Sequence, residues 1–216
     1  MKTSLRSHLL LSLLVMLVTF GSAEPVSATE KVSYNYGSAS YFLGDDVQGA
    51  QILASGQAHK NLRLVFDYRY TDVDVDVAGV DVSSHGGFAG VGYLFRQIEW
   101  VDIIADLGGY FASVEVDVDF LDDSTTIKDG GAFAGLRARI LPTKRVEVEP
   151  FVRYFHSLED SQDQGDNDGW DFGIEGRYFL GKNFALQASV EDSDFFGETV
   201  FSLGFRFGQQ RDPKNF

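Results

Sequence analysis

The chain has 216 residues, 18 Lys and Arg against 32 Asp and Glu, a formal net charge of −14 and no cysteine. One domain suits this length, the acidity argues against nucleic acid as a partner, and the missing thiol excludes disulfides and lipoprotein attachment.

Residues 1–28 read as a secretory signal peptide. Lys2 and Arg6 form a basic start, Leu9 to Phe20 is an apolar run of 12 residues, and Val26-Ser27-Ala28 offers a small-residue cleavage site, with Gly21-Ser22-Ala23 as a second candidate. A helical span needs about 20 apolar residues, and no later run reaches that length. Removing Lys2, Arg6 and Glu24, net +1, takes the charge of the remainder from −14 to −15.

Four short turn-like sequences then recur at intervals of about forty residues, as hairpins require. They are His59-Lys60-Asn61, Arg96-Gln97-Ile98-Glu99, Pro142-Thr143-Lys144-Arg145 and Gly181-Lys182-Asn183. Each precedes a two-residue alternation: Leu62-Leu64-Phe66-Tyr68-Tyr70, Val101-Ile103-Ala105-Leu107, Val146-Val148-Val152-Tyr154 and Phe184-Leu186-Ala188-Val190. With one strand at each end, four turns predict ten strands, at 32–42, 47–58, 62–72, 86–96, 101–113, 130–141, 146–157, 169–180, 184–193 and 199–208. Eight strands is the alternative if one turn is discarded. Ser38 and Ser40 fall on the outward face of the first strand, and glycines blur the face of the fourth.

Strands of about 9–11 residues with one greasy and one polar face suit a barrel wall in lipid, where closure satisfies every backbone group. The predicted fold is therefore all-β: a transmembrane antiparallel up-and-down β-barrel over 29–208, followed by a short tail, 209–216. An even strand count puts both termini on one side, the periplasmic one, where short turns face. The opposite connections are longer and acidic, with Asp45-Asp46, Asp72, Asp74, Asp76, Asp81, Asp117, Asp119, Asp122, Asp123 and Asp129, then Glu159 to Asp168, then Asp192, Asp194 and Glu198. Val73, Val75 and Val77, and again Val114, Val116 and Val118, alternate with acids on the parity opposite to the lipid-facing residues below them. They predict hairpins projecting beyond the bilayer, with either a bulge or loss of the lipid constraint behind the change.

The chain resembles the small outer-membrane β-barrel family of opacity proteins and outer-membrane-protein-A barrel domains. The carriers are the Gly-x-x-x-aromatic descent into a turn at Gly173 to Phe184 and the final strand Phe201-Ser202-Leu203-Gly204-Phe205-Arg206-Phe207. In that family a closing strand with alternating aromatics is the assembly signal, which the resemblance assigns to Phe205 and Phe207. It also implies outer-membrane lipid and lipopolysaccharide, the barrel-assembly machinery and periplasmic chaperones as partners, and a monomer. Here Gly208 to Phe216 follow that strand, where the family pattern ends the chain.

Such a fold does not name an activity. The alternation turns Arg63, Arg69, Arg137, Arg139, Arg153, Arg177 and Arg206 inward, against Asp67, Asp102, Asp106, Glu147, Glu149, Asp171, Glu175 and Glu191. Within this set Arg137, Arg139, Glu147, Glu149, Arg153, Glu175 and Arg177 form the expected lumen ion-pair network, since the guanidinium fork pairs with carboxylates in a confined space. A packed plug and a narrow ion path are the two readings, and a ten-strand barrel is too small for bulk solute uptake.

A rim protease of the omptin type would place His85 or His156 beside Asp72, Asp74 and Asp76, but neither histidine has the Asp-x-His setting. A lipid A deacylase would need a His/Ser motif whose spacing Phe155-His156-Ser157-Leu158 does not reproduce. The expectation is no catalytic site and no bound cofactor. Calcium or magnesium held loosely by Asp72, Asp74 and Asp76 or by Asp163, Asp166 and Asp168 is the only metal chemistry on offer, without the glycine and closing glutamate of a dedicated loop. A soluble lipocalin-like barrel would have to bury the Arg137 to Glu149 charges or expose Trp170, Phe172, Phe184 and Phe205.

Overall fold

The computed structural model describes residues 34–59, 61–75, 80–98, 101–118, 123–143, 145–158, 168–181, 183–194 and 197–208. The expected signal peptide and the 209–216 tail lie outside these residues.

Ten strands follow in chain order: β1 (Tyr36–Leu43), β2 (Val47–His59), β3 (Leu62–Val73), β4 (Val80–Ile98), β5 (Val101–Val118), β6 (Asp123–Ile140), β7 (Val146–Ser157), β8 (Gly169–Gly181), β9 (Phe184–Ser193) and β10 (Glu198–Phe207). Every neighbour in sequence is an antiparallel neighbour in space, and β1 closes on β10 with Tyr41 opposite Leu203. The architecture is an all-β, closed, up-and-down barrel of ten strands, not eight. Tyr36 at the start of β1 faces Ser55 of β2 and Gly37 faces Phe207, so both ends of the barrel chain lie at the end of the short turns.

Alternation is the reason the sheet closes this way round. Along β3, Leu62, Leu64, Phe66 and Tyr70 are exposed while Arg63, Val65, Asp67, Arg69 and Thr71 are buried. In β10 Phe201, Leu203, Phe205 and Phe207 point out and Ser202 and Arg206 point in. Leu203, 73% exposed, would be a costly solvent-facing residue but is at home against acyl chains. Aromatics crowd both ends of this apolar wall, with Tyr93 and Phe95 (ring centroids 4.7 Å apart) and Phe184 and Phe205 (5.7 Å) near the short turns, and Tyr154 and Trp170 (4.9 Å) at the other end. An apolar wall with an aromatic girdle at each end and charges inside is built to sit in a bilayer.

Two expectations change. Ser38 and Ser40 are buried in the lumen and not outward; Gly37, Ala39, Tyr41 and Leu43 form the outer face of β1. The physical reason is that a hydroxyl can be satisfied inside, where Ser40 donates to Gln51 (3.1 Å), and that this strand turns its aromatics Tyr36 and Phe42 inward as well. The Asp45-Asp46 connection is a tight turn rather than a long loop: the Gly44 amide donates to the Val47 carbonyl, and the Glu198 carboxylate accepts from the Asp45 amide at 2.7 Å.

β4, β5 and β6 run to 19, 18 and 18 residues, well beyond the about 9–11 a bilayer needs. At roughly 3.3 Å per residue the excess projects on the order of 20 Å. No register shift interrupts β3, β4, β5 and β6 between the wall and this extension, so there is no bulge. Val82, Val116 and Thr125 share one face and Ser83, Glu115 and Thr126 the other. The change of hydrophobic parity therefore marks the level at which lipid stops selecting the outer face. Val73 packs on the buried Phe42, Val47 and Val200 at the barrel mouth.

Candidate functional site: the lumen and the projecting end

Tyr34, Leu94 and Ile104 form a buried apolar floor near the short turns. Above it the inward positions of β3, β5, β6, β7, β8 and β10 deliver one connected ion network. Arg63 holds both oxygens of Asp106 (3.0 and 3.1 Å), and Arg137 joins the same carboxylate at 2.6 Å to Glu149 at 3.0 Å. Arg177 bridges Glu149 (3.0 Å), Glu175 (2.7 Å) and Glu147, and Glu147 also receives Arg139. Arg206 lies 3.6 Å from Glu147 and 3.5 Å from Glu175, with its guanidinium 3.7 Å over the Tyr36 ring. Tyr34 ties in Asp102, donating its hydroxyl at 2.6 Å while Arg139 lies 4.9 Å over its ring.

Five arginines (63, 137, 139, 177, 206) and five carboxylates (102, 106, 147, 149, 175) thus balance in charge. The pairing is largely diagonal: Arg137 sits opposite Phe151 in the β6–β7 ladder and reaches Glu149 two residues away. A higher cluster joins Arg69 to Glu191 (2.9 and 3.2 Å) and Asp67 (3.4 Å), while Gln51 donates to Asp67 and Arg153 faces Asp171 at 3.8 Å.

Arg153 also lies 4.3 Å over Phe88, the centre of a lid made with Tyr110, Phe133 and Phe155. Phe88 and Phe155 stack at 5.1 Å and Phe133 meets Phe88 edge-on at 5.5 Å. Glycine is required beneath it: a Cβ on Gly108 would come within 2.2 Å of the Ala89 carbonyl and 2.7 Å of the Phe133 ring. The lumen is consequently filled, floor to lid, by side chains.

At the projecting end the acids divide by what they hold. Asp194 accepts the Trp170 amide (2.8 Å), and Asp129 accepts the Gly130 amide (2.7 Å) and the hydroxyls of Ser157 (2.7 Å) and Tyr110 (3.0 Å). Asp72, Asp81, Glu115 and Asp117 are exposed on the outer face of the extension, directly above the lipid-facing aromatics, with Tyr70 donating to Asp72 at 2.8 Å. Of the cation candidates, Asp72 and Asp74 are exposed on β3 and just past it, Asp76, Asp163 and Asp166 lie outside the described residues, and Asp168 is engaged elsewhere. Among the described residues no three His, Asp or Glu side chains converge as a metal would need.

Asp168 carries the contact that spacing did not reveal. It accepts the Tyr154 hydroxyl at 2.6 Å and meets His156 Nδ1 at 2.9 Å, and these two hydrogen bonds, Tyr154's first, hold its carboxyl below the ordinary carboxylate range. The residues are 12 apart in sequence and meet because β7 and β8 are neighbours; the only sequence cue is a histidine late in one strand with an aspartate just before the next. Ser157 lies on the lumen side of β7, bonded to Asp129, whereas His156 faces outward, so they do not form a nucleophile–base pair.

No family model and no curated protein matches the chain. Among solved structures it is similar to Ail, the attachment invasion locus protein of Yersinia pestis, at 11% identity and a TM-score of 0.43 over 87% of this chain and 100% of that one. It is similar to the KdgM porin at 12% and 0.46, over 80% and 98%, and to Neisserial surface protein A at 13% and 0.44, over 82% and 98%. At such values the likeness carries nothing about role, and what stands on the chain's own geometry is a membrane barrel with a filled lumen whose lower ion network balances in charge.

Proposed function

We propose that this protein is a non-enzymatic integral outer-membrane barrel that works through its projecting end, with both chain ends periplasmic and no open path for solutes. The filled lumen carries this reading: Glu147 and Asp171 are completely buried and Arg139, Arg177 and Arg206 nearly so, beneath a four-ring lid. The orientation rests on short turns at one end and long strands at the other. On this reading Phe205 and Phe207, outward on the closing strand, present the signal to the assembly machinery. Single-channel recording of the refolded protein in a planar bilayer tests it; the expected result is no steady conductance, and discrete ion-sized steps would replace the plug with a narrow pore.

The acidic outer face gives this end its chemistry. Asp72, Asp81, Glu115 and Asp117 stand at the level where anionic lipopolysaccharide phosphates lie, and like charges there repel unless calcium or magnesium takes oxygen ligands from both. Loosely shared divalent cations, not a dedicated site, would join barrel to lipid. Lipopolysaccharide binding by the refolded monomer is expected to rise with calcium and to lose that dependence when these four become Asn, Asn, Gln and Asn. Calcium dependence equal in both proteins, or absent in the unmodified one, leaves the acids with solvation alone.

A further inference from the structure

β6 begins at Asp123, but β7 joins it only where Gly131 meets Ser157. Among the described residues β6 is bonded before that point to β5 alone, and Ser124 to Lys128 are all exposed. The Gly130 carbonyl accepts the Leu158 amide and so points toward the β7 side. Strand alternation then aims the N–H and C=O of Lys128, Thr126 and Ser124 at that same open side. Proteins blunt such edges with proline, bulges or rows of charge. This one has no proline and no register shift, and Lys128 is its only lysine, placed near the membrane end rather than the tip.

The surroundings state what would fit. Glu115 lies opposite Thr126 and Asp117 opposite Ser124 on the outer face, and Asp81 lies opposite Asp117. A strand added beside β6 would stand about 9.5 Å from β5, so a long cationic side chain passing over the short hydroxyls of Thr126 and Ser124 reaches those carboxylates. On the other face Ile127 is half exposed and continues the row of Val114. We propose that residues 124–129 are a docking edge for an extended basic polypeptide, added as an antiparallel strand, with Lys or Arg beside Ser124 and Thr126 and β-branched apolar residues on the alternate face.

The probe is a fluorescent peptide of alternating Lys and Val, titrated into the full refolded barrel in detergent micelles free of lipopolysaccharide. Saturable binding is expected, weakened about tenfold or more by Thr126→Pro, because that N–H serves the open edge and not the β5 ladder. Glu115→Gln with Asp117→Asn should weaken it and flatten its salt dependence. A peptide N-methylated on alternate residues, tried on the unmodified barrel, should not bind, and this arm holds even if Thr126→Pro does not fold, which gel mobility before and after boiling reports. Absence of binding by the unmodified barrel, or equal binding of the N-methylated peptide, overturns strand addition and leaves at most ionic adsorption to the acidic face.

Discussion

Three guanidinium groups, Arg139, Arg177 and Arg206, converge on Glu147, which no water can reach. Converting Glu147 to Gln keeps its shape while stranding buried cations, so it should cost about 3–5 kcal/mol in urea titrations of folding into vesicles. Glu198→Gln, at an exposed turn, should cost far less. Glycines separate in the same way. A Cβ on the exposed Gly56 meets nothing within 4 Å, whereas one on Gly108 meets backbone and the Phe133 ring. Gly108→Ala should therefore destabilise by about 1–3 kcal/mol and Gly56→Ala by less. Asp168 predicts a pH effect. Its carboxyl is lowered on folding, chiefly by Tyr154 and then His156, so its contribution is complete above the unfolded value of about 3.9 and is lost as pH falls through the lower folded value. Fluorescence of Trp170, whose ring lies tilted 4.9 Å from that of Tyr154, should show a transition below about pH 4 that disappears in Asp168→Asn.

Between β6 and β7 the ladder has a weak place. Arg137 pairs with Phe151 and Ile140 with Val148, but the residues between, at Pro150, are unpaired on that side because proline has no N–H to give. Pro150→Val should restore a donor to the Ala138 carbonyl and slow exchange of the Ala138 amide, which faces β7. Unchanged protection would clear the proline of responsibility for the seam. On the lipid side, Leu203→Arg should cost about 2–4 kcal/mol if near the bilayer midplane, while Arg at inward Gln187 should cost less, since carboxylates such as Glu191 line that face. Equal costs would contradict the side-chain alternation of β9 and β10.

For the whole molecule, closure means no strand between lipid tails has a free edge, so the unheated protein should run as a compact band on a detergent gel and shift only on boiling. Strand number, the four short turns and the identity of the inward charges were legible in the sequence, because a bilayer outside and a crowded lumen inside impose a period of two that each strand records locally. The first strand was misread because Ser38 and Ser40 hide among inward aromatics, where small hydroxyls carry no hydropathy signal strong enough to fix a face. Only the tertiary structure decided the partners. Arg69 finds Glu191 across 122 residues, and Glu147 gathers arginines from β6, β8 and β10, according to how strand stagger aligns heights around the lumen. The same stagger decided that β6 outruns β7 and, among the described residues, leaves one edge unpaired, a difference between neighbours that no strand's own alternation contains.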